Sequence, residues 1–450
     1  MTLFEAKKIH CIGIGGIGIS AIAKLLVFQG KKVTGSDAAD SEIVQEAKVA
    51  GVEIMIGHRA ENIANDVEAV IYSEAVPEDN PERVWAKEKG ILELAGAEAL
   101  AELTKGKRLI AVTGTNGKST TTAILGLLLE AGGMDPTVLV GSKVKHFPLG
   151  NVRPGKGEWF VLEADEYKAK FLNLEPEIAV VTNIETDHLD FFRDFKHIKE
   201  VYQEFFKRVK ARLFLNADDL IMMNELKHSQ ETTTFGIQNL ADYFIEDTSI
   251  KDSKQIFEIR GHGEFKISLP GRFNVMNATA ALAVALELGV PEDICRKTLE
   301  EFPGIWRRFE RVGEKNGALI VSDYAHHPTA VSLTIIGAKR FYPRRRLVIV
   351  FQPHHTHRLE ALFDDFAKSF KGADVVVICE TYFVRGREEI KVTKTAKDLA
   401  DAISNPNNKV FYGENLEKTG QIVREQIKEG DVVIFMGAGD IDSLARGLIK

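Results

Sequence analysis

The 450-residue sequence contains only three cysteines, Cys11, Cys295 and Cys379. None of them lies in a CxxC pair or at a metal-binding spacing. The composition therefore fits a reducing compartment better than a disulfide framework, and we expect a cytoplasmic protein. Long hydrophobic runs are also missing. No stretch of about 18 apolar residues occurs, and residues 1–10 lack a long apolar segment, so we predict neither a membrane span nor export.

Basic charge is not in excess either. The sequence has 58 Lys and Arg against 65 Asp and Glu, which gives a net charge of -7. This argues against a general nucleic-acid binder, because phosphate backbones attract basic surfaces. No repeat of fixed period is evident. An acidic ligand would therefore need local positive sites.

Short apolar strand patterns alternate with helical patterns along the chain, which is typical of parallel sheets wound by helices. Between residues 231 and 269 the pattern changes to short β-like runs. At about 150 residues per domain, the chain length predicts roughly three domains. We predict an α/β protein with a Rossmann-like N-terminal domain (residues 1–105), a central P-loop ATPase-like domain (106–303) and a Rossmann-like C-terminal domain (304–450).

A first glycine turn follows the first predicted strand. Gly13, Gly15 and Gly18 fit G-x-G-x-x-G, and Asp37 follows about 20 residues later at a strand end. Glycines there allow positive φ and close approach to a diphosphate at a helix N-terminus. Alone, the pattern leaves a nicotinamide dinucleotide, with Asp37 on its ribose, and a ligand-free turn as alternatives.

A second glycine turn, residues 114–119, is shorter than a strict Walker A loop, because Val112 stands where that motif requires its first glycine. We call residues 114–119 the phosphate loop. Its position between a strand and a helix predicts that Lys118 pairs with the β- and γ-phosphates of ATP and that Ser119 ligates Mg²⁺. Glu163 and His188 each follow another apolar strand, so we expect both beside these phosphates.

An ordered series of motifs resembles the Mur ligase family, the ATP-dependent amide-forming enzymes of peptidoglycan assembly. The motifs cover nearly the whole chain and are GTNGKST (114–120), EADE (163–166), TNIETDHLD (182–190), GRFNVMNATAA (271–281), GIWRRFE (304–310) and DYAHHP (323–328). Further segments resemble the branch that adds L-alanine to UDP-N-acetylmuramate, and these are GIGGIGISAIA (13–23), VTGSD (33–37), YSEAVPEDNPE (72–82), FQPH (351–354) and GAGDI (437–441).

The resemblance implies a ligase that uses ATP and Mg²⁺ to join L-alanine to the carboxylate of UDP-N-acetylmuramate through an acyl phosphate, acting as a monomer or homodimer. The alternatives within the family are a recycling ligase that adds a tripeptide and a Mur ligase that uses a different amino acid. Outside the family, a nicotinamide-dependent oxidoreductase and a nucleotide sensor without catalysis stay open.

The resemblance also implies roles for individual residues. For the UDP-sugar these are Gly13, Gly15, Gly16, Ile17, Gly18, Asp37, His58 and Ser73. For ATP they are Gly114, Thr115, Asn116, Gly117, Lys118, Ser119, Thr120, Asn274, Asn277, Arg308 and Asp323. Metal ligands would be Ser119, Glu163 and His188, and the amino acid would meet His326, His355 and Arg358. The implied catalytic set is Lys118, Glu163, His188, His326 and Arg358.

Four positions depart from the alanine-adding branch. Asn116 and Ser119 follow other Mur ligases, which preserves phosphate binding, and Phe273 replaces a histidine near the expected adenine side. His355 stands where an arginine is expected to grip the amino-acid carboxylate. Histidine is a weaker carboxylate ligand than the permanently charged arginine fork. The acceptor is therefore left open between alanine, glycine, serine and a peptide.

Overall fold

A computed structural model describes residues 2–188, 191–383, 393–403 and 409–449. The last two residues of the TNIETDHLD motif lie outside the described residues. The described residues form three α/β sheets, each with buried apolar strands and flanking helices. The β-like runs expected between residues 231 and 269 are strands. No helix in the described part of the chain is both long and apolar enough to cross a membrane.

The N-terminal sheet has the parallel strand order β3-β2-β1-β4-β5. Its elements are β1 (Lys8–Ile12), α1 (Ile17–Phe28), β2 (Lys32–Asp37), α2 (Glu42–Val49), β3 (Glu53–Ile56), β4 (Ala69–Tyr72), α3 (Pro81–Glu88), β5 (Leu92–Ala95) and α4 (Gly96–Thr104). Strand β1 lies where the order reverses. The first glycine turn therefore opens at the crevice where such sheets bind ligands.

The central sheet has the order β15-β14-β13-β12-β11-β10-β6-β9-β7-β8. Its strands are β6 (Arg108–Thr113), β7 (Thr137–Leu139), β8 (Val152–Arg153), β9 (Trp159–Glu163), β10 (Ile178–Val181), β11 (Arg212–Asn216), β12 (Glu231–Gly236), β13 (Tyr243–Lys251), β14 (Lys254–Ile259) and β15 (Gly263–Ile267). The helices are α5 (Lys118–Ala131), α6 (Phe195–Phe206), α7 (Leu220–Glu225), α8 (Arg272–Glu287) and α9 (Glu292–Glu301). Strand β6 lies between β10 and β9, so the phosphate loop, Glu163 and His188 all follow neighbouring parallel strands.

The C-terminal sheet has the order β16-β17-β21-β18-β19-β20, and only the β16 pairing with β17 is antiparallel among its described strands. The strands are β16 (Glu310–Lys315), β17 (Ala318–Asp323), β18 (Leu347–Phe351), β19 (Val375–Ile378), β20 (Lys409–Tyr412) and β21 (Val432–Met436). The helices are α10 (Pro328–Phe341), α11 (Thr356–Ala361), α12 (Phe363–Ser369), α13 (Ala396–Ala402), α14 (Leu416–Gln426) and α15 (Ile441–Ile449).

The chain forms two compact units. The first contains residues 1–246, 259–262 and 276–299, and the second contains residues 247–258, 263–275 and 300–450. The N-terminal sheet and the phosphate loop belong to the first unit, and the C-terminal sheet belongs to the second. The domain boundaries near residues 105 and 304 stay predictions.

Several helices have a side-chain N-cap, and the two helices that follow the glycine turns do not. Side chains of Ser41, Asn80 and Asp194 cap α2, α3 and α6 by accepting backbone N–H groups. Helices α1 and α5 instead begin after Gly16 and Gly117, and no side chain caps them. Their first N–H groups and the positive end of the helix dipole are therefore available to an anion.

Candidate functional site

The phosphate loop needs glycine at two positions. Gly114 has φ 129° and Gly117 has φ 91°, in the region that residues with a Cβ avoid. A Cβ on Gly114 would lie 2.2 Å from the hydroxyl of Thr182, and one on Gly117 would lie 2.2 Å from Oδ1 of Asn277. The loop is therefore packed against the end of β10 and the helix α8. Asn277 lies beside Gly117, and its contact with ATP stays a prediction.

Residues just after β10 hold the phosphate loop in shape. The backbone N–H of Thr115 donates to the carbonyl of Asn183 (2.9 Å), and the N–H of Asn116 donates to the Asn183 side chain (3.0 Å). In return, Asn183 and Thr182 donate to the Asn116 carbonyl at 2.8 and 2.6 Å. These bonds fix the loop before any ligand arrives, which is the preorganisation that phosphate binding requires.

Lys118 bends back over the phosphate loop. Its Nζ donates to the carbonyl of Gly114 (2.5 Å) and to the carboxylate of Glu166 (3.0 Å). Burial opposes the charge on Lys118, but the nearby carboxylates of Glu166, Asp165 and Glu163 outweigh it and raise the lysine pKa. Burial raises the pKa of Glu166 to about 7, against the attraction of Lys118. The lysine is thus kept charged where a phosphate would enter.

Glu163 is tied to the residue that follows Lys118. The hydroxyl of Ser119 donates to Glu163 Oε1 (2.8 Å), and the backbone N–H of Gly141 donates to Oε2 (2.6 Å). A serine hydroxyl and a carboxylate are the oxygen ligands that Mg²⁺ prefers. The Ser119–Glu163 pair therefore fits the metal role that the sequence predicted for it.

His188 lies with a different pair of carboxylates. Ligand atoms of His188, Asp165 and Glu166 all lie within 4.8 Å of one another, and His188 Nε2 is 3.9 Å from Glu166 Oε1. His188 has φ 55°, a strained conformation for a non-glycine residue. Its ring packs on Tyr167, with centroids 4.7 Å apart. Of the EADE motif, the sequence predicts a role only for Glu163, and the positions of Asp165 and Glu166 beside His188 come from the structure.

The first glycine turn brings together several of the residues predicted for the UDP-sugar. Gly13 has φ 77°, and a Cβ there would lie 3.0 Å from Cβ of Ser73. The N–H of Gly15 donates to Oδ2 of Asp37 (2.7 Å). Gly16 and Gly18 are exposed. The turn is therefore a compact cradle with an open rim, and Asp37 occupies one of its N–H groups.

In the C-terminal domain, Asp323 is buried at the end of β17 and accepts the N–H groups of Phe309 (2.7 Å) and Ala325 (2.8 Å). Burial raises its pKa. The guanidinium of Arg308 lies 4.9 Å from the ring centroid of Tyr324. Asn274 of α8 donates to the carbonyl of Pro270 (2.7 Å). For these nucleotide residues the structure gives a location, and their contact with ATP stays a prediction.

The FQPH and GAGDI segments meet at the carboxyl ends of β18 and β21. Gln352 Nε2 donates to Asp440 (2.8 Å), and its Oε1 accepts the N–H of Ile441 (3.2 Å). The buried Arg307 donates to the carbonyls of Gly437 and Gly439. Gln352 and Arg307 had no predicted role, and their function here is to hold this turn.

The predicted amino-acid residues come from two neighbouring loops. His326 Nδ1 bonds to the Tyr324 carbonyl (2.7 Å), and its ring centroid lies 6.1 Å from that of His354. His355 has φ 64° and precedes α11, which carries Arg358. The structure therefore brings His326 beside the FQPH loop.

Family models of Mur ligases match three consecutive segments of the chain. "Mur ligase family, catalytic domain" matches residues 8–108, "Mur ligase middle domain" matches 112–285, and "Mur ligase, glutamate ligase domain" matches 307–439. The chain belongs to the Mur ligase family. This confirms the family and the three-domain α/β fold predicted from the sequence.

Curated Mur ligases match over almost their full length. The UDP-N-acetylmuramate–L-alanine ligase of Sulfurihydrogenibium sp. (strain YO3AOP1) is 38% identical, with 99% of this chain and 98% of the relative covered. That of Geobacter sp. (strain M21) is 40% identical, covering 97% and 96%.

Solved Mur ligase structures match as well. The UDP-N-acetylmuramate–alanine ligase of Thermotoga maritima has a TM-score of 0.84 at 28% identity, covering 98% of each chain. A murein peptide ligase of Psychrobacter arcticus has a TM-score of 0.71 at 24% identity, which shows the shared fold alone.

A buried carboxylate supports the N-terminal site of this Mur ligase. Glu82 is fully buried, and it accepts hydrogen bonds from Ser36 (2.5 Å) and Asn62 (2.6 Å). His58 Nδ1 lies 3.1 Å from the same carboxylate, and His10 Nε2 lies 3.9 Å away, beyond direct hydrogen bonding. Glu82 therefore fixes His58, one of the residues predicted at the UDP-sugar.

The pKa of Glu82 predicts an acid-sensitive contribution to stability. Burial alone would raise this pKa, but His10, Ser36 and Asn62 together lower it to about 2 from 4.5. A carboxylate with a lowered pKa stabilises the fold above its unfolded pKa, and this stabilisation, on the order of 3 kcal/mol at most, is lost as the pH falls from about 4.5 toward 2.

We expect Glu82→Gln to lower the free energy of unfolding by about 1–3 kcal/mol at pH 7, with the gap to wild type narrowing as the pH falls below about 4.5. Urea unfolding at pH 7, 4 and 3 measures this gap. Glu61→Gln, at an exposed position of the same domain, is the control and should leave the unfolding energy unchanged. A gap that stays constant with pH would contradict the role of the Glu82 charge.

Proposed function

We propose that the protein is an ATP-dependent ligase that joins L-alanine to the carboxylate of UDP-N-acetylmuramate in the cytoplasm. The observation that carries this proposal is the charged Lys118 on a preorganised phosphate loop, followed directly by the Ser119–Glu163 pair. Full-length similarity to curated alanine-adding ligases supports the choice of substrates.

The reaction begins when the lactyl carboxylate attacks the γ-phosphorus of ATP, which forms an acyl phosphate and releases ADP. Lys118 and the N-terminus of α5 stabilise the charge on the phosphoryl oxygens. Ser119 and Glu163 would hold Mg²⁺, which neutralises phosphate charge when bound. The amine of alanine then attacks the activated carbonyl, and loss of phosphate leaves the amide.

Glu166 keeps Lys118 charged and in place until a nucleotide binds. Its carboxylate lies 3.0 Å from Nζ, and its side chain is only 5% exposed. The triphosphate then replaces Glu166 as the partner of the lysine, so the largely buried cation exchanges one partner for another. The freed carboxylate stays beside His188 and Asp165, the cluster whose geometry fits a second cation.

His326, His355 and Arg358 are proposed to receive the amino acid. The rings of His326 and His354 are close, and His355 precedes the helix that carries Arg358. Arg358 provides a permanent positive charge for a carboxylate, and the histidine rings provide further hydrogen-bonding nitrogens. An acceptor with a larger body, such as a tripeptide, is the competing outcome of the assay below.

One assay tests the function. The protein is incubated with ATP, Mg²⁺ and UDP-N-acetylmuramate, and L-alanine, glycine, L-serine or the tripeptide is added singly. Phosphate release and the mass of the product are measured. Product with L-alanine supports the proposal, whereas product with the tripeptide alone would assign the recycling reaction. Binding without turnover would make the protein a sensor.

Lys118→Met is expected to reduce ADP formation by about 10²–10³-fold, because it removes a charge that stabilises the transferring phosphoryl group. The change leaves Glu166 buried without its cation, so the double variant Lys118→Met/Glu166→Gln removes both charges and tests activity in a balanced core. Lys107→Met, at an exposed position of the same domain, is the control. Near wild-type ADP formation by either folded variant would rule out the assignment of Lys118.

His355→Arg is expected to lower KM for L-alanine about tenfold or more, since an arginine–carboxylate pair adds a charge-assisted, bidentate contact worth about 1.5–3 kcal/mol. His357→Arg places the same charge two residues away and serves as the control. Steady-state kinetics at saturating ATP and UDP-N-acetylmuramate measure both. An unchanged KM in His355→Arg would remove this position from the amino-acid site.

A further inference from the structure

A lysine of the N-terminal domain is buried against the central domain. Lys24 lies on α1, is 2% exposed, and donates from Nζ to the carbonyl of Leu149 (3.2 Å) and to Oδ1 of Asn151 (3.1 Å). Its third partner is Glu46 of α2 at 3.5 Å. A lysine is rarely buried to this degree without a specific partner, and two of its three partners belong to the other domain.

Asn151 completes this contact. It is fully buried, and its Nδ2 donates to the carbonyl of Ile17 (2.8 Å) while its Oδ1 accepts from Lys24. Ile17 is the first residue of α1 and directly follows Gly16 of the first glycine turn. One side chain of the central domain therefore holds the helix end that carries the proposed UDP-sugar cradle.

The segment that contains Asn151 also contacts Glu163, a proposed metal ligand. Residues 137–153, which we call the bridging hairpin, pair Val138 with Arg153 across β7 and β8, and the N–H of Val140 donates to the Asn151 carbonyl (3.0 Å). The next residue, Gly141, donates its N–H to Glu163 (2.6 Å). The hairpin thus contacts the N-terminus of α1 through Asn151 and the carboxylate of Glu163 through Gly141. Gly141 directly follows Val140, the backbone partner of Asn151.

Charge and packing reinforce this contact. Lys143 of the bridging hairpin pairs with Glu42 (2.8 Å) and Glu46 (2.6 Å) of α2. Ala21 and Leu25 of α1 belong to the same buried apolar cluster as Leu139 and Val152 of the hairpin. Apolar surfaces attach the helix but tolerate sliding, whereas the directional bonds of Lys24 and Asn151 select one register.

We propose that Lys24 and Asn151 are positioning residues that fix the first glycine turn relative to the Ser119–Glu163 pair, and so align the sugar carboxylate with the γ-phosphate. This inference rests on the proposed function. Neither residue belongs to the predicted ATP or UDP-sugar sites, so each substrate binds alone without them. The alignment acts on the phosphoryl transfer, where a misplacement of about 1 Å costs roughly 10²-fold in rate.

The test compares Lys24→Met and Asn151→Ala with wild type. We expect the dissociation constants of UDP-N-acetylmuramate alone and of a non-hydrolysable ATP analogue alone to stay within about twofold of wild type, measured by calorimetry. ADP formation in a single turnover should fall about 10–100-fold. The double variant should lose no more than the more impaired single variant, because both residues act through one contact.

Lys31→Met is the matched control. Lys31 also donates to backbone carbonyls, those of Leu3 (3.2 Å), Phe4 (2.8 Å) and Ala6 (2.5 Å), but all three lie within the N-terminal domain. The rate of ADP formation by Lys31→Met should match that of wild type when both proteins are assayed below their thermal unfolding midpoints. If Lys31→Met and Lys24→Met lose ADP formation to the same extent, the effect reflects a general loss of stability, and the inference is overturned.

Two failures are distinguishable. If wild type binds neither UDP-N-acetylmuramate nor the ATP analogue, the proposed function fails and the inference fails with it. If wild type binds both and forms ADP, but Lys24→Met and Asn151→Ala form ADP at the wild-type rate, only the positioning role is overturned. Weakened binding of a single ligand with an unchanged single-turnover rate would also overturn it.

Discussion

The central site depends on one largely buried cation and the carboxylate that holds it. Lys118 is 15% exposed, and a lysine removed from water without a partner costs several kcal/mol. In the protein without a nucleotide, Glu166 is the anion that contacts Nζ of Lys118. A triphosphate would bind the same Nζ. A site built in this way does not have to form when the nucleotide arrives. It exchanges one anion for another on a loop that Asn183 already holds.

The fold gives this site its second requirement, which is convergence of side chains from distant parts of the chain. Parallel strands β6, β9 and β10 end at one edge, so the phosphate loop, Glu163 and His188 gather there although about 75 residues separate the first from the last. The first glycine turn uses the same principle at the end of β1. Both turns open the N-terminus of a helix to an anion, because a glycine replaces the usual side-chain cap.

The sequence predicts features whose signal is local. The two glycine turns and the candidates Lys118 and Ser119 are read from adjacent residues, and the order of motifs predicts the family, which the family models confirm. The role of Glu166 is not local. Its approach to Lys118 and His188 depends on the turn after β9, where Lys168 and Ala169 adopt left-handed conformations that no sequence rule predicts for lysine and alanine. Lys24 was missed for another reason. Lysine is usually solvated, and only the contact between domains buries this one.

The contact at Lys24 combines apolar burial with directional polar bonds. Burial of Ala21 and Leu25 supplies most of the attachment, since apolar area contributes about 25 cal/mol per Å². The polar bonds contribute little net stability, because burial of the Lys24 ammonium removes its hydration and lowers its pKa. Their value is geometric. An amide that donates to Ile17 and accepts from Lys24 fits in one register only. Its removal takes a partner from two buried groups, so the binding and single-turnover measurements have to be made on the folded variant.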